Sequence, residues 1–186
     1  MKKIYAQGFL KEDALESGIT KLSNESDSIS ISLSKFLIDL AGISKIKKKK
    51  LSLTKKGAEI IEDDQRLFEL IFKTYCEKFF WGYFDGSDSR DIGQMGFAFS
   101  IILVAKYGNK HEEASFYADK YFKAFPQLKG DENIPHYASE SMEEYCYKLR
   151  TFTRFMDFFG FIEISNKQNV MYISKSGIFD KLFKFG

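Results

Sequence analysis

The sequence predicts a mainly α-helical protein with two short β-hairpins, one near each end, and a helical middle. Apolar residues recur every three or four positions over most of the chain, and each end carries a glycine followed by two short apolar segments around a polar turn. The 186 residues, 44% hydrophobic and 29% charged, suffice for a buried core without disulfides or a structural metal. We expect three parts in one compact body, residues 1–62, 63–140 and 141–186.

The first end combines a helix with a hairpin. A helical stripe of apolar residues stops directly before Gly42, where a left-handed cap would end the helix. Residues 43–46 and 51–53 are predicted as strands, joined by a turn of four lysines. Thr54 is expected to cap the next helix, whose first turn contains Gly57. The stripe consists of Leu33, Phe36, Leu37 and Leu40.

The last end repeats this order of elements. A helix over residues 141–159 should end at Gly160, and residues 161–164 and 170–173 should form strands around a polar turn at 166–169. Ser174 is then expected to cap a final helix that contains Gly177. This alignment makes the second hairpin two residues longer than the first, because the paired glycines are 17 rather than 15 positions apart.

The middle is predicted to be helical. Helices should begin at Asp63 or Asp64, cover residues 92–107, and cover residues 114–122 before Pro126 ends the last one. Polar segments at 82–91 and 127–139 are expected to be loops, the second being the longest in the chain.

These two ends resemble the wing of winged-helix domains. The resemblance is carried by Leu53-Thr54-Lys55-Lys56-Gly57 and, more loosely, by Ile173-Ser174-Lys175-Ser176-Gly177, each following a helix, a glycine and two strands. The chain also resembles the C-terminal part of plasmid ORF-3-like proteins, which are uncharacterised bacterial proteins. The winged-helix resemblance implies a small helical bundle with a hairpin at each end. Many such domains bind DNA and others bind only protein.

A cluster of seven lysines lies on the first predicted hairpin and the helix start that follows it. Residues 1–62 carry 12 Lys and Arg against 8 Asp and Glu, so this end of the chain is basic. Lysine side chains can bind phosphates as point charges, but the cluster can equally be a solvated turn that protects an open strand edge. The cluster consists of Lys45, Lys47, Lys48, Lys49, Lys50, Lys55 and Lys56.

Two of the four arginines lie in the helix before the second hairpin. Arg150 and Arg154 fall on one predicted face with Tyr147 and Thr151, a combination suited to base edges and phosphates. The same arginines can instead pair with the acidic segment at residues 63–140. The 20 Phe, 10 Tyr and one Trp also allow two readings, a core or an exposed platform for bases or a protein partner.

The motifs of common enzymes are missing from the sequence. There is no P-loop, no dinucleotide-binding glycine motif, no nucleophile-elbow serine and no paired metal-binding histidines. Residues 85–91 resemble a calcium loop, but Arg90 and Gly96 stand where glycine and glutamate are required. We therefore expect a non-catalytic protein with no cofactor and no metal.

The N-terminal residues and the longest uncharged run predict the cellular location of the protein. Charged residues at 11–13 interrupt any apolar segment of a signal peptide, and residues 92–105 are too few for a bilayer, which needs about 20. We expect a cytoplasmic protein without a membrane partner. The 24 lysines against four arginines suggest an AT-rich bacterial genome.

Two functional hypotheses follow from the sequence. In the first, the protein is a regulatory protein that binds duplex DNA through its lysine cluster and its arginines. In the second, the winged fold is structural, and aromatic surface binds a protein partner or a second copy of the chain. The first requires the lysines and both arginines on one surface, whereas the second requires an exposed apolar patch.

Overall fold

The computed structural model describes residues 2–6, 12–48, 50–86, 91–129 and 141–185. It confirms a mostly helical fold with two small antiparallel sheets, one of two strands and one of three. The chain divides into two compact units, Met1–Phe79 and Phe80–Gly186. None of the helices in the described ranges is long and apolar enough to cross a membrane.

The first unit contains five α-helices, a short 3₁₀ helix at Glu25–Asp27 and one hairpin among its described residues. Strands β1 and β2 pair in an antiparallel manner and form the two-stranded sheet. The elements are α1 (Lys2–Tyr5), α2 (Asp13–Glu16), α3 (Ile29–Leu40), β1 (Ser44–Lys47), β2 (Lys50–Leu53), α4 (Lys55–Ile60) and α5 (Asp64–Glu77).

The second unit builds its three-stranded sheet from a hairpin and one short strand that comes earlier in the chain. The order in the sheet is β3-β5-β4, and both pairings are antiparallel. A π-helix, Lys148–Met156, continues α8, and 3₁₀ helices lie at Trp81–Phe84 and Pro126–Leu128. The other elements are α6 (Phe97–Tyr107), β3 (Glu112–Glu113), α7 (Ala114–Ala124), α8 (Met142–Tyr147), β4 (Ile162–Lys167), β5 (Val170–Lys175) and α9 (Phe179–Leu182).

Helix α3 ends in a Schellman motif, as its glycine predicts. Gly42 has a φ of 71°, and its N–H donates to the carbonyl of Asp39 at 2.9 Å. The N–H of Ile43 donates to the carbonyl of Ile38 at 2.8 Å. These two bonds satisfy carbonyls that the helix end would leave without partners, and they turn the chain into β1.

The turn at residues 157–160, which follows the π-helix of the second unit, has the same geometry. Gly160 also has a φ of 71°, and its N–H donates to the carbonyl of Asp157 at 2.8 Å. The N–H of Phe161 donates to the carbonyl of Met156 at 2.8 Å. The two helix–hairpin segments therefore leave their helices in the same way. We call residues 29–54 the first repeat and residues 142–176 the second repeat.

A hydroxyl closes each repeat at the far end of its hairpin. The Thr54 hydroxyl donates to the carbonyl of Gly42 at 2.7 Å, and the Ser176 hydroxyl donates to the carbonyl of Gly160 at 2.6 Å. Thr54 also accepts a bond from the N–H of Gly57, so the predicted cap of α4 is confirmed. Each hydroxyl brings the chain back to the glycine where its hairpin began.

The structure corrects the alignment of the two repeats. Ser176, and not Ser174, is the counterpart of Thr54, while Ser174 lies within β5 and caps no helix. The glycine-to-hydroxyl spacing is then 12 residues in the first repeat and 16 in the second, so the second hairpin is four residues longer. Its turn is shorter than predicted, with only residues 168 and 169 between the strands.

Each unit has its own apolar core. In the first, Leu33 and Leu37 of α3 are buried, and Ala41, Ile43 and Ile60 form a cluster against α5. In the second, the core is aromatic, which accounts for much of the aromatic content of the chain. Its fully buried rings include Trp81, Tyr117, Tyr121, Tyr147, Phe152, Phe155, Phe161 and Phe179.

The two glycines that the sequence aligned should respond differently to substitution. A Cβ on Gly57 would lie 2.1 Å from the backbone carbonyl oxygen of Ile43, whereas a Cβ on Gly177 would meet nothing within 4 Å. We expect Gly57→Ala to lower the free energy of unfolding by about 1–2 kcal/mol, since this clash exceeds the gain in helix propensity of about 1 kcal/mol.

Urea unfolding followed by circular dichroism provides the measurement. Gly177→Ala is the matched control and should change the free energy of unfolding by less than about 0.5 kcal/mol. Equal effects of the two substitutions would contradict the close contact of α4 with Ile43.

Candidate functional site

The hairpin of the first repeat has two chemically different faces. Directly opposite residues of an antiparallel pair share a face, and faces alternate along each strand. The pairs Ser44–Leu53 and Ile46–Leu51 therefore lie on one face, and the pairs Lys45–Ser52 and Lys47–Lys50 lie on the other. One face is largely apolar, and the other carries three lysines.

The remaining lysines of the predicted cluster are placed differently. Lys48 lies in the exposed turn with a φ of 50°, and Lys55 is exposed at the start of α4. The ammonium group of Lys56 donates to the carbonyl of Ala41 at 2.9 Å, so it supports the end of α3. Lys49 falls outside the described residues.

A groove of about 310 Å³ lies between α3 and the apolar face of the hairpin. Phe36, Ile46 and Leu51 line it, and their exposed fractions are 40%, 65% and 56%. The buried hydroxyl of Ser44, at the base of the hairpin, has no hydrogen-bond partner among the described residues. The remaining lining residues are Glu25, Ser26, Ser32, Lys35 and Asp39.

The exposed side of α3 mixes apolar and polar residues and carries little positive charge, since Ser34 and Asp39 are exposed on it as well. Ile29, Phe36 and Leu40 are all among the exposed large hydrophobic residues of the chain. The one lysine of this helix, Lys35, forms an ion pair with Glu25. Of the three apolar residues, Phe36 lies at the groove beside the hairpin.

The second repeat shows how the same positions look when they are covered. Counted from the glycine and the hydroxyl of each repeat, the pair Ile46–Leu51 corresponds to the pair Ile164–Ile173. Ile173 is fully buried, because β3 pairs with it and helices α6 and α7 contact β5. Its counterpart Leu51 is more than half exposed. The hairpin position that is buried in the second repeat is therefore exposed to solvent in the first.

The structure places Arg150 in the interior of the second unit. Its guanidinium donates to both carboxylate oxygens of Asp85, at 2.7 and 2.9 Å, and to the carbonyl of Ile92 at 3.2 Å. Arg154 contacts the same carboxylate at 3.4 Å and the carbonyl of Phe84 at 3.3 Å. The second interpretation of these arginines, pairing with the acidic middle segment, therefore holds.

This arrangement corrects the predicted surface. Arg150, Thr151 and Tyr147 have no exposed surface, so a nucleic acid cannot reach them. The physical reason is the π-helix, which has more than four residues per turn and changes which positions share a face. Three consecutive positions, Arg150, Thr151 and Phe152, are fully buried, so the buried face is centred on Thr151 and extends to the position predicted to face outward.

Asp85 is a key residue that sequence reasoning missed. It lies in the predicted polar loop at 82–91, 65 positions from Arg150, and its side chain is 4% exposed. Gly82 leaves room for the guanidinium, since a Cβ there would lie 2.8 Å from Arg150 Nη2. In the sequence, the sign of its role is its position as a charged residue directly after the aromatic-rich segment at 79–84.

Cysteine and metal chemistry can be assessed from the described residues. Burial raises the pKa of Cys76 to about 12, which keeps its thiol protonated, whereas an activated nucleophile has a lowered pKa. No group of three or more His, Cys, Asp or Glu side chains suitable for a metal ion occurs in the described part of the chain.

Comparison of the chain with protein-family models, with curated proteins and with solved structures finds no match in any of the three.

Removing the charge of Asp85 should destabilise the second unit strongly. Asp85→Asn leaves the Arg150 guanidinium buried without a counter-charge, and we expect a loss of about 3–5 kcal/mol in the free energy of unfolding. Trp81 is buried in this unit, so its fluorescence in a urea titration reports the change. Glu163→Gln, an exposed carboxylate on β4, is the control and should cost less than about 0.5 kcal/mol. A similar loss in both variants would exclude Asp85 as the main partner of Arg150.

Proposed function

We propose that the protein is a non-catalytic protein-interaction module whose first repeat binds a partner protein. The observation that carries this proposal is the groove between α3 and the hairpin, lined by Phe36, Ile46 and Leu51, all of them exposed. Contiguous exposed apolar surface is characteristic of interaction sites in soluble proteins. The groove volume of about 310 Å³ has room for an apolar anchor side chain of a partner.

The winged-helix resemblance forms part of this proposal. Each repeat has a helix, a left-handed glycine and a hairpin in that order, which supports assigning a winged-helix type to both. Such a fold serves DNA binding in some proteins and protein binding in others. The exposed surface of α3 favours protein, because Phe36 is exposed and Lys35 is paired with Glu25, whereas a helix that reads the major groove presents polar and basic side chains.

A second candidate function is binding of duplex DNA, and it rests on the other face of the hairpin. Lys45, Lys47 and Lys50 share that face, and Lys48 extends it at the turn. Such a surface can contact phosphates without reading sequence. Arg150 takes no part in this candidate, because it is buried against Asp85.

Site-specific photo-crosslinking in cells tests the protein-interaction proposal. A photo-reactive benzoylphenylalanine in place of Leu51 should give a discrete adduct, because this position lines the groove. Adding Ile46→Ser should reduce the adduct several-fold by removing apolar contact. An adduct of twice the chain mass would identify the partner as a second copy.

The same photo-reactive residue in place of Ile102, which is 48% exposed on α6, serves as the control. We expect no discrete adduct from that position. Equal adducts from positions 51 and 102, or none from position 51, would refute a binding role for the groove.

A salt series tests the DNA candidate. If the lysine face contacts phosphates, affinity for a mixed duplex should fall steeply with salt in a fluorescence-anisotropy titration. Replacing Lys47, Lys48, Lys49 and Lys50 with Ala should reduce the slope of log K against log salt by about 0.9 per lost phosphate contact. Absence of binding at low salt would exclude duplex DNA as a ligand of this protein.

A further inference from the structure

In the second repeat, the outer edge of β5 is not open. Strand β3 pairs with it, so that Glu112 lies opposite Ile173 and Glu113 lies opposite Tyr172. The Tyr172 hydroxyl reaches the Glu113 carboxylate at 3.5 Å. An acidic strand from elsewhere in the chain therefore completes the sheet of this repeat.

Among the residues that the structure describes, no strand occupies the corresponding edge of the first repeat. By the same count from the closing hydroxyl, Leu51 stands where Ile173 stands, and Lys50 stands where Tyr172 stands. In the described ranges, β2 pairs only with β1. An open strand edge presents backbone N–H and C=O groups that a further strand can bind.

We propose that the outer edge of β2 receives an extended acidic segment of the partner protein as an added strand. This inference rests on the proposed protein-interaction function and specifies the chemistry of the partner. Addition of a strand to a sheet edge is a recurrent way of binding peptides, in which backbone bonds supply affinity and alternate side chains supply specificity.

The two faces of the hairpin define the segment. A strand added at β2 continues both faces, so its side chains alternate between the lysine face and the apolar face. Acidic side chains opposite Lys50 would lie on the same face as Lys45 and Lys47 and would be attracted by their positive charge. Apolar side chains opposite Leu51 would lie on the other face and extend the apolar surface of the groove. The partner segment therefore alternates acidic and apolar residues.

A capped peptide of four glutamate–valine repeats is the probe, used with the full-length protein. Amide hydrogen exchange at residues 50–53 should slow in its presence, whereas a peptide of four lysine–valine repeats should have no effect. Lys50→Glu should weaken binding of the acidic peptide about tenfold and allow the basic peptide to bind, because the cross-strand charge pair is reversed.

Lys45→Glu is the matched control, since Lys45 lies on the same face but on β1, one strand further from the added segment. It should weaken binding of the acidic peptide less than Lys50→Glu does. An unchanged circular dichroism spectrum shows that each variant folds, as expected for exposed side chains.

The proposal is overturned if the acidic peptide leaves exchange at residues 50–53 unchanged at millimolar concentration, or if both charge reversals weaken it equally. It is also overturned if a DNA duplex displaces the peptide while those amides stay unprotected, which would indicate a general anion site. If these results are obtained but position 51 still gives a photo-crosslinked adduct, strand addition is excluded while the proposed protein-interaction function still stands.

Discussion

The hydrogen bond from a hydroxyl to the carbonyl of a left-handed glycine is the constraint on which each helix–hairpin repeat depends. Thr54 makes this bond to Gly42, and Ser176 makes it to Gly160. The glycine fixes the point where the hairpin leaves its helix, and the hydroxyl fixes the point where the hairpin ends. Because both ends are fixed, the strand register is set, and the register decides which side chains face the core.

The same closure leads to two different environments. In the second repeat, a short acidic strand and two helices cover the hairpin, and the apolar residue Ile173 is fully buried. In the first repeat, the equivalent Leu51 borders an open groove beside Phe36, and lysines occupy the opposite face. The two repeats therefore differ in how much of the hairpin is covered, although they share the same closure.

Local signals in the sequence predicted the first repeat well, and long-range pairings could not be predicted. The left-handed glycine and the Thr54 cap follow from neighbouring residues. The end of the second hairpin was misplaced because Ser174 and Ser176 are both followed within three residues by Gly177, and only tertiary contacts select Ser176. The partner of Arg150 was not predictable, since Asp85 is distant in sequence and the π-helix changes the period of the buried face.

Native-state hydrogen exchange of the free protein tests the central claim most directly, because it compares the two repeats within one molecule. The claim is that the second hairpin is covered and the first is open. We predict that amides of residues 172–175 in β5 exchange slowly and that amides of residues 50–53 in β2 exchange orders of magnitude faster, through local opening. Equal protection of the two segments would contradict the account, since it would mean that the first hairpin is also covered.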